Sequence, residues 1–132
     1  MPRRKEAAER LVDLARTAGS DVLLINGHME AQTACHHLGE FREAAKHATA
    51  VLALAPRVPG AERCITILDP VVGSLAESAR NLWITGHLTR ALMACDEASG
   101  AADSPLSADA KEPASDTEWP LVSRCSSWRI SK

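Results

Sequence analysis

Five histidines and four cysteines are the residues of this chain best suited to chemistry: His28, His36, His37, His47 and His87, with Cys35, Cys64, Cys95 and Cys125. A zinc site needs three or four such ligands to converge. On a helix two ligands converge when they lie four apart. His28 and His36 are eight apart, and His36 and His37 are neighbours that point to different sides of a helix. No two cysteines make a CxxC, and their spacing fits neither a zinc site nor a secreted disulfide framework. A nucleophilic cysteine needs a nearby base and a lowered pKa. Cys35 and Cys95 fall on apolar helix faces, where burial raises the pKa, and Cys125 stands in a C-terminal tail beside Arg124. There is no GxSxG elbow and no GxxxxGK[ST] phosphate loop. The expectation is a chain with surface or half-buried histidines and inert thiols, without catalytic residues, metal or cofactor.

These side chains sit on elements that read as helices. The chain has 132 residues, which suits one domain. Apolar residues make up 45%, much of it alanine, while Tyr is absent and Phe41 is the single Phe. Such a composition favours closely spaced helices over sheets, which draw on aromatic and β-branched residues. Ala8, Leu11, Val12, Ala15 and Ala18 recur at helical spacing and predict a helix from Pro2 to Ala18, capped by Gly19. Leu24, His28, Ala31, Cys35 and Leu38 stripe a second helix over 21–37, with Ser20 or Asp21 as its N-cap and Gly39 at its end. Phe41, Ala44, Ala45, Ala48, Val51 and Leu52 share a face of a third, over 40–54, which Pro56 stops. Pro56, Pro59 and Gly60 break the pattern over 56–68, where Cys64, Ile65, Ile67 and Leu68 fit either a short helix or an extended piece. Asp69 as cap and Pro70 in the first position open a fourth helix that Gly86 closes. A fifth runs from His87 to Ala98, with Leu88, Ala91, Leu92, Cys95 and Ala98 on one face.

The chain also repeats itself. Leu38-Gly39-Glu40-Phe41-Arg42-Glu43-Ala44-Ala45 lies 47 residues before Thr85-Gly86-His87-Leu88-Thr89-Arg90-Ala91-Leu92. Each copy is helix, glycine turn, helix, a unit that cannot bury its apolar face alone and stacks on neighbours. It resembles a tetratricopeptide repeat. Gly39 and Gly86 match the turn glycine, Ala44 and Ala91 the small residue where the helices approach, Ala98 a second small position and Pro56 the terminal proline. Val51 departs from the second small position, and His28 and Cys35 occupy two first-helix positions that are usually aromatic or Gly. The 47-residue period exceeds the usual ~34, so 56–68 reads as an insertion. The runs His37-Leu38-Gly39-Glu40-Phe41, Leu68-Asp69-Pro70-Val71-Val72 and Asn81-Leu82-Trp83 also resemble helical-repeat regions of large bacterial signalling ATPases, some joined to adenylate cyclase or transcriptional regulator domains. That resemblance covers about residues 5–98 and implies sensing or transmission rather than nucleotide chemistry.

The expected architecture is all-α: antiparallel helix pairs stacked as a short tetratricopeptide-like solenoid over 1–98, with an irregular Ser/Pro/Ala-rich tail over 99–132. The tail holds eight serines and three prolines. Disorder is its default reading, with Trp119 and Trp128 as residues that would otherwise cover the open end of the stack. The first helices of tetratricopeptide pairs line a concave groove, which by this resemblance takes in Thr33, His36, Arg80, Trp83 and Ile84. There Arg80 would hold a carboxylate, and Trp83 would anchor an apolar side chain or pack against the neighbouring pair. The expected partner is a protein or peptide segment. With fewer than three full repeats, marginal stability or self-association through the exposed last helix is expected. A formal net charge of −2, relieved only by Arg3-Arg4-Lys5, does not suggest nucleic acid. No apolar run approaches the ~18 residues of a membrane span, and a reducing cytoplasm suits the cysteines.

Overall fold

The computed structural model describes residues 2–63 and 68–103 and is entirely helical there. Five long helices follow the sequence pattern closely: α1 (Pro2–Ala18), α2 (Asp21–His37), α3 (Phe41–Leu54), α5 (Pro70–Ile84) and α6 (Leu88–Ala102). A 3-10 turn (Ala55–Arg57) and the short helix α4 (Gly60–Arg63) occupy the start of the break, separated by Val58 in extended conformation and Pro59. Residues 64–67, among them Cys64, Ile65 and Ile67, lie outside the described residues. So do Cys125, Trp119, Trp128 and the rest of the tail from residue 104. The last helix runs four residues past Ala98, through an alanine-rich stretch that sequence reading assigned to the tail.

Three turns share one geometry. Gly19, Gly39 and Gly86 adopt φ values of 65°, 76° and 84°. At each, the glycine N–H bonds to the carbonyl three residues back, and the next residue bonds five back, as in Gly39→His36 (3.0 Å) with Glu40→Cys35 (2.9 Å) and Gly86→Trp83 (3.1 Å) with His87→Leu82 (2.8 Å). This paired capping satisfies carbonyls that the helix end leaves free, and its left-handed residue favours glycine. Each turn reverses the chain. Arg4, near the start of α1, reaches Glu30 late in α2 (2.7 Å), and Lys5 pairs with Glu40 just past the end of α2. Two of the three N-terminal basic residues are therefore engaged by carboxylates.

α2 lies at the centre, packed by α1, α3 and α5, while α5 also packs on α3 and α6. The stripe read from sequence captured one side of α2. Ile25, Gln32 and Ala34 are fully buried as well, because further neighbours cover the remaining sides. Gly27 permits the close approach of α1, since a Cβ there would meet Val12 Cγ2 at 3.0 Å. Ile25, Val51 and Val58 form the apolar centre, flanked by Val22, Met29 and Leu54. Ala44, fully buried, lets α3 close on its partner, as expected.

The link between α3 and α5 is held by Arg63. Its Nη1 donates to the Ala55 carbonyl (3.0 Å) and its Nη2 to Asp69 Oδ2 (2.9 Å), and its own carbonyl accepts from Asn26 Nδ2 (3.2 Å). Asp69 also caps α5 through Oδ1, which accepts from Val71 N (2.9 Å). One half-buried ion pair thus fixes both the link and the entry to α5.

Candidate functional site

Two polar contacts seat α5 on α2. Gln32 Nε2 donates to the Ser74 carbonyl (2.9 Å) and to Ser78 Oγ (3.3 Å), while Ser74 Oγ donates to Gln32 Oε1 (2.6 Å). One turn further on, His36 Nδ1 donates to Asn81 Oδ1 and lies 3.8 Å from Glu77 Oε2. Glu77 in turn meets Arg80 Nη1 at 3.4 Å. The contacting residues ascend together along both helices, so α2 and α5 run parallel.

That seating divides the five residues expected to share one groove. His36 is held between α2 and α5 rather than facing a ligand, because Asn81 and Glu77 cover its ring. Thr33 is half-buried, and its hydroxyl donates to the Met29 carbonyl of its own helix (3.2 Å). Arg80, Trp83 and Ile84 lie exposed on α5. Of these, Arg80 and Trp83 line an apolar groove of about 460 Å³ between α5 and α6, whereas Ile84 is not part of its lining. Ala76 and Ala79 form the α5 wall with them, and Leu88 and Leu92 stand opposite on α6. Trp83 is 64% exposed and Leu92 67%, so Trp83 does not pack into a neighbouring pair within the described residues. Cys95, expected on a buried face, lies exposed on the groove, because no helix among the described residues covers this side of α6 as α5 covers α3.

A second pairing escaped sequence reading. His28 of α2 and His47 of α3 place their Nδ1 atoms 2.9 Å apart, so one ring donates to the other. Both pKa values are lowered from the ordinary 6.5. For His28, burial is the main cause, followed by repulsion from His47 and Arg16. For His47, burial again leads, partly opposed by Glu43 and Glu9. The available signal was their presence on the facing sides of adjacent antiparallel helices, not their spacing.

Among the described residues, these groups form no nucleophile–base pair. Burial pushes the Cys35 thiol up. Thr85 Oγ1 stands 3.1 Å from His87 Nδ1, but it donates its proton to the Asn81 carbonyl (2.8 Å), as a helix-end contact does. Among the described residues, no three His, Cys, Asp or Glu side chains converge as metal ligands, and no helix is long and apolar enough to cross a membrane. The chain matches no family model, no curated protein and no solved structure. The functional reading therefore rests on the groove. Its lining is apolar apart from Arg80 and the Cys95 thiol, whereas small-molecule sites gather several convergent polar groups. The groove is an exposed apolar surface with one aromatic side chain and one flanking guanidinium.

Proposed function

We propose that this protein is a non-catalytic interaction scaffold, built as a short tetratricopeptide-like solenoid, which captures a protein or peptide segment on the α5–α6 face. The observation that carries the reading is the apolar groove with Trp83 on its wall. The solenoid reading draws on the like turns at Gly39 and Gly86 and on the packing of α5 against both helices of the preceding pair. Free thiols at Cys35 and Cys95 suit a reducing cytoplasm. A second reading, a regulatory segment of a multidomain signalling ATPase or transcriptional regulator without activity of its own, is favoured by the uncovered apolar residues of α6. Self-association through that helix is a further partner of the scaffold reading.

Panning a displayed peptide library against the full chain tests the scaffold, with Leu92→Asp as the counter-selection. Leu92 is exposed, so the exchange leaves the packed interior intact. Peptides retained by the wild-type chain and lost on Leu92→Asp are expected. Peptides held equally by both chains, or none retained at all, would refute the reading.

A further inference from the structure

The 47-residue translation that aligns the two glycine turns also aligns two surfaces, one covered and one bare among the described residues. Moved back by 47, the α5 wall of the groove at Ala76, Ala79 and Trp83 falls on Met29, Gln32 and His36. Its α6 wall at Leu88, Ala91 and Cys95 falls on Phe41, Ala44 and Ala48. In the first pair that surface is occupied by α5. Met29 Sδ lies 3.3 Å from where a Cβ on Gly73 would sit, Gln32 bonds Ser74 and Ser78, and His36 meets Asn81 and Glu77. Ala48 is buried there, whereas its counterpart Cys95 is exposed. The groove is thus the next seat in a series whose first seat holds a helix, and it continues an interface already formed within the molecule.

The differences between the two seats specify the occupant. Met29 becomes Ala76 and Gln32 becomes Ala79, so the second seat is roomier and wholly apolar where α5 presents Gly73 and Ser78 to the first. His36 becomes Trp83, so the seat is tighter where α5 presents Asn81. Thr33 becomes Arg80, an exposed cation. It lines the groove and meets Glu77 of its own helix at 3.4 Å.

We infer that the α5–α6 groove receives one amphipathic helix of a partner protein, lying parallel to α5 as α5 lies parallel to α2. This inference rests on the scaffold reading and specifies its partner. The incoming helix carries bulky aliphatic side chains at the counterparts of Gly73 and Ser78, a carboxylate within reach of Arg80 on the groove wall, and a small residue at the counterpart of Asn81. Bulky aliphatic groups fill the space over Ala76 and Ala79, the carboxylate meets Arg80, and the small residue clears the Trp83 indole. Recognition of a helix by an apolar groove follows spaced anchors of this kind.

The probe is a synthetic peptide of the Asp69–Gly86 sequence with Gly73→Leu, Ser78→Leu, Asn81→Ala and Trp83→Gln. It is titrated into the full chain carrying Trp119→Phe and Trp128→Phe, so that Trp83 is the only indole present. A saturable blue shift of Trp83 emission is expected. It should weaken at least tenfold when Gly73 and Ser78 are restored in the peptide, and again when the protein carries Ala76→Glu or Arg80→Glu. Ala76 and Arg80 are exposed, and unchanged far-ultraviolet circular dichroism verifies that these variants fold. A peptide with Glu77→Pro cannot continue a helix. Equal binding of that peptide would overturn the helical occupant while leaving the scaffold standing. Emission that shifts with protein concentration alone would assign the groove to a second copy, and emission already shifted at every concentration to the chain's own residues. Either result overturns the inference. Exposed Trp83 with no response to any peptide would overturn both the inference and the scaffold.

Discussion

At the scale of single residues, the His28–His47 pair is the most sensitive chemical feature of the fold. Two half-buried imidazoles whose nitrogens lie 2.9 Å apart cannot both be charged without repulsion. Both titrate below 6.5 in the folded chain, whereas the unfolded chain takes up these protons near 6.5. Between those values the unfolded chain holds more protons, so stability is fully present above pH 6.5 and is lost as the pH falls through and below it. Urea midpoints at pH 7.5 and pH 5 should therefore differ, with the acid value lower. The second pair carries Leu75 and Ala94 at the matching positions, and the double exchange His28→Leu with His47→Ala should shrink that difference. An unchanged pH dependence would place its origin elsewhere. Sequence reading treated each histidine separately, because the meeting of His28 and His47 depends on the rotation of two helices about their axes. No spacing within either helix encodes that rotation. Trp83 and Arg80 lie exposed on α5 and line the groove, whereas Thr33 and His36 are half-buried on α2, since the packing of α5 on α2 decides what remains open.

At the scale of elements, helix boundaries were largely readable because their causes are local. Ser20 accepts from Leu23 N (3.3 Å), Asp69 caps α5, and the three glycines end helices where the sequence places them. The burial of α2 was less readable. Gln32 looks like a solvent-facing residue, yet it is fully buried because Ser74 and Ser78 supply its partners from 42 and 46 residues away. Ser74→Ala removes the hydroxyl that satisfies Gln32 Oε1 and leaves a buried acceptor unpaired, at a cost of about 1–3 kcal/mol. Ser99 offers the matched control, since its exposed hydroxyl donates only along its own helix, to the Cys95 carbonyl (3.0 Å). Ser99→Ala should stay within about 0.5 kcal/mol. Urea denaturation of both variants checks the contrast, and equal effects would remove Gln32–Ser74 from the account of how α5 is positioned. The Arg63–Asp69 clasp was equally hidden, because proline and glycine announce a break without indicating which side chain will organise it.

At the scale of the whole molecule, packing is distributed unevenly among the helices. α2 is enclosed by three helices, while α6 packs chiefly on α5 and exposes Leu88, Leu92 and Met93. Local opening follows such differences in packing. Amide hydrogen exchange should therefore be slowest in α2 and fastest in α6, with α5 between them. Equal protection of α2 and α6 would mean that α6 is covered in solution. The 47-residue self-similarity made the two like glycine turns at Gly39 and Gly86 legible from sequence, whereas which side of α6 stays exposed among the described residues depends on packing that no local spacing encodes.

The join between α2 and α5 has a mechanical consequence. Its Gln32–Ser74 and His36–Asn81 contacts are amide, hydroxyl and imidazole groups, which water solvates readily. Were the two pairs to part along this line, the surfaces revealed would wet rather than cling to other chains. Parting at this joint would thus follow the fraying of α6, and it would hand over to water groups that can hydrogen-bond with it.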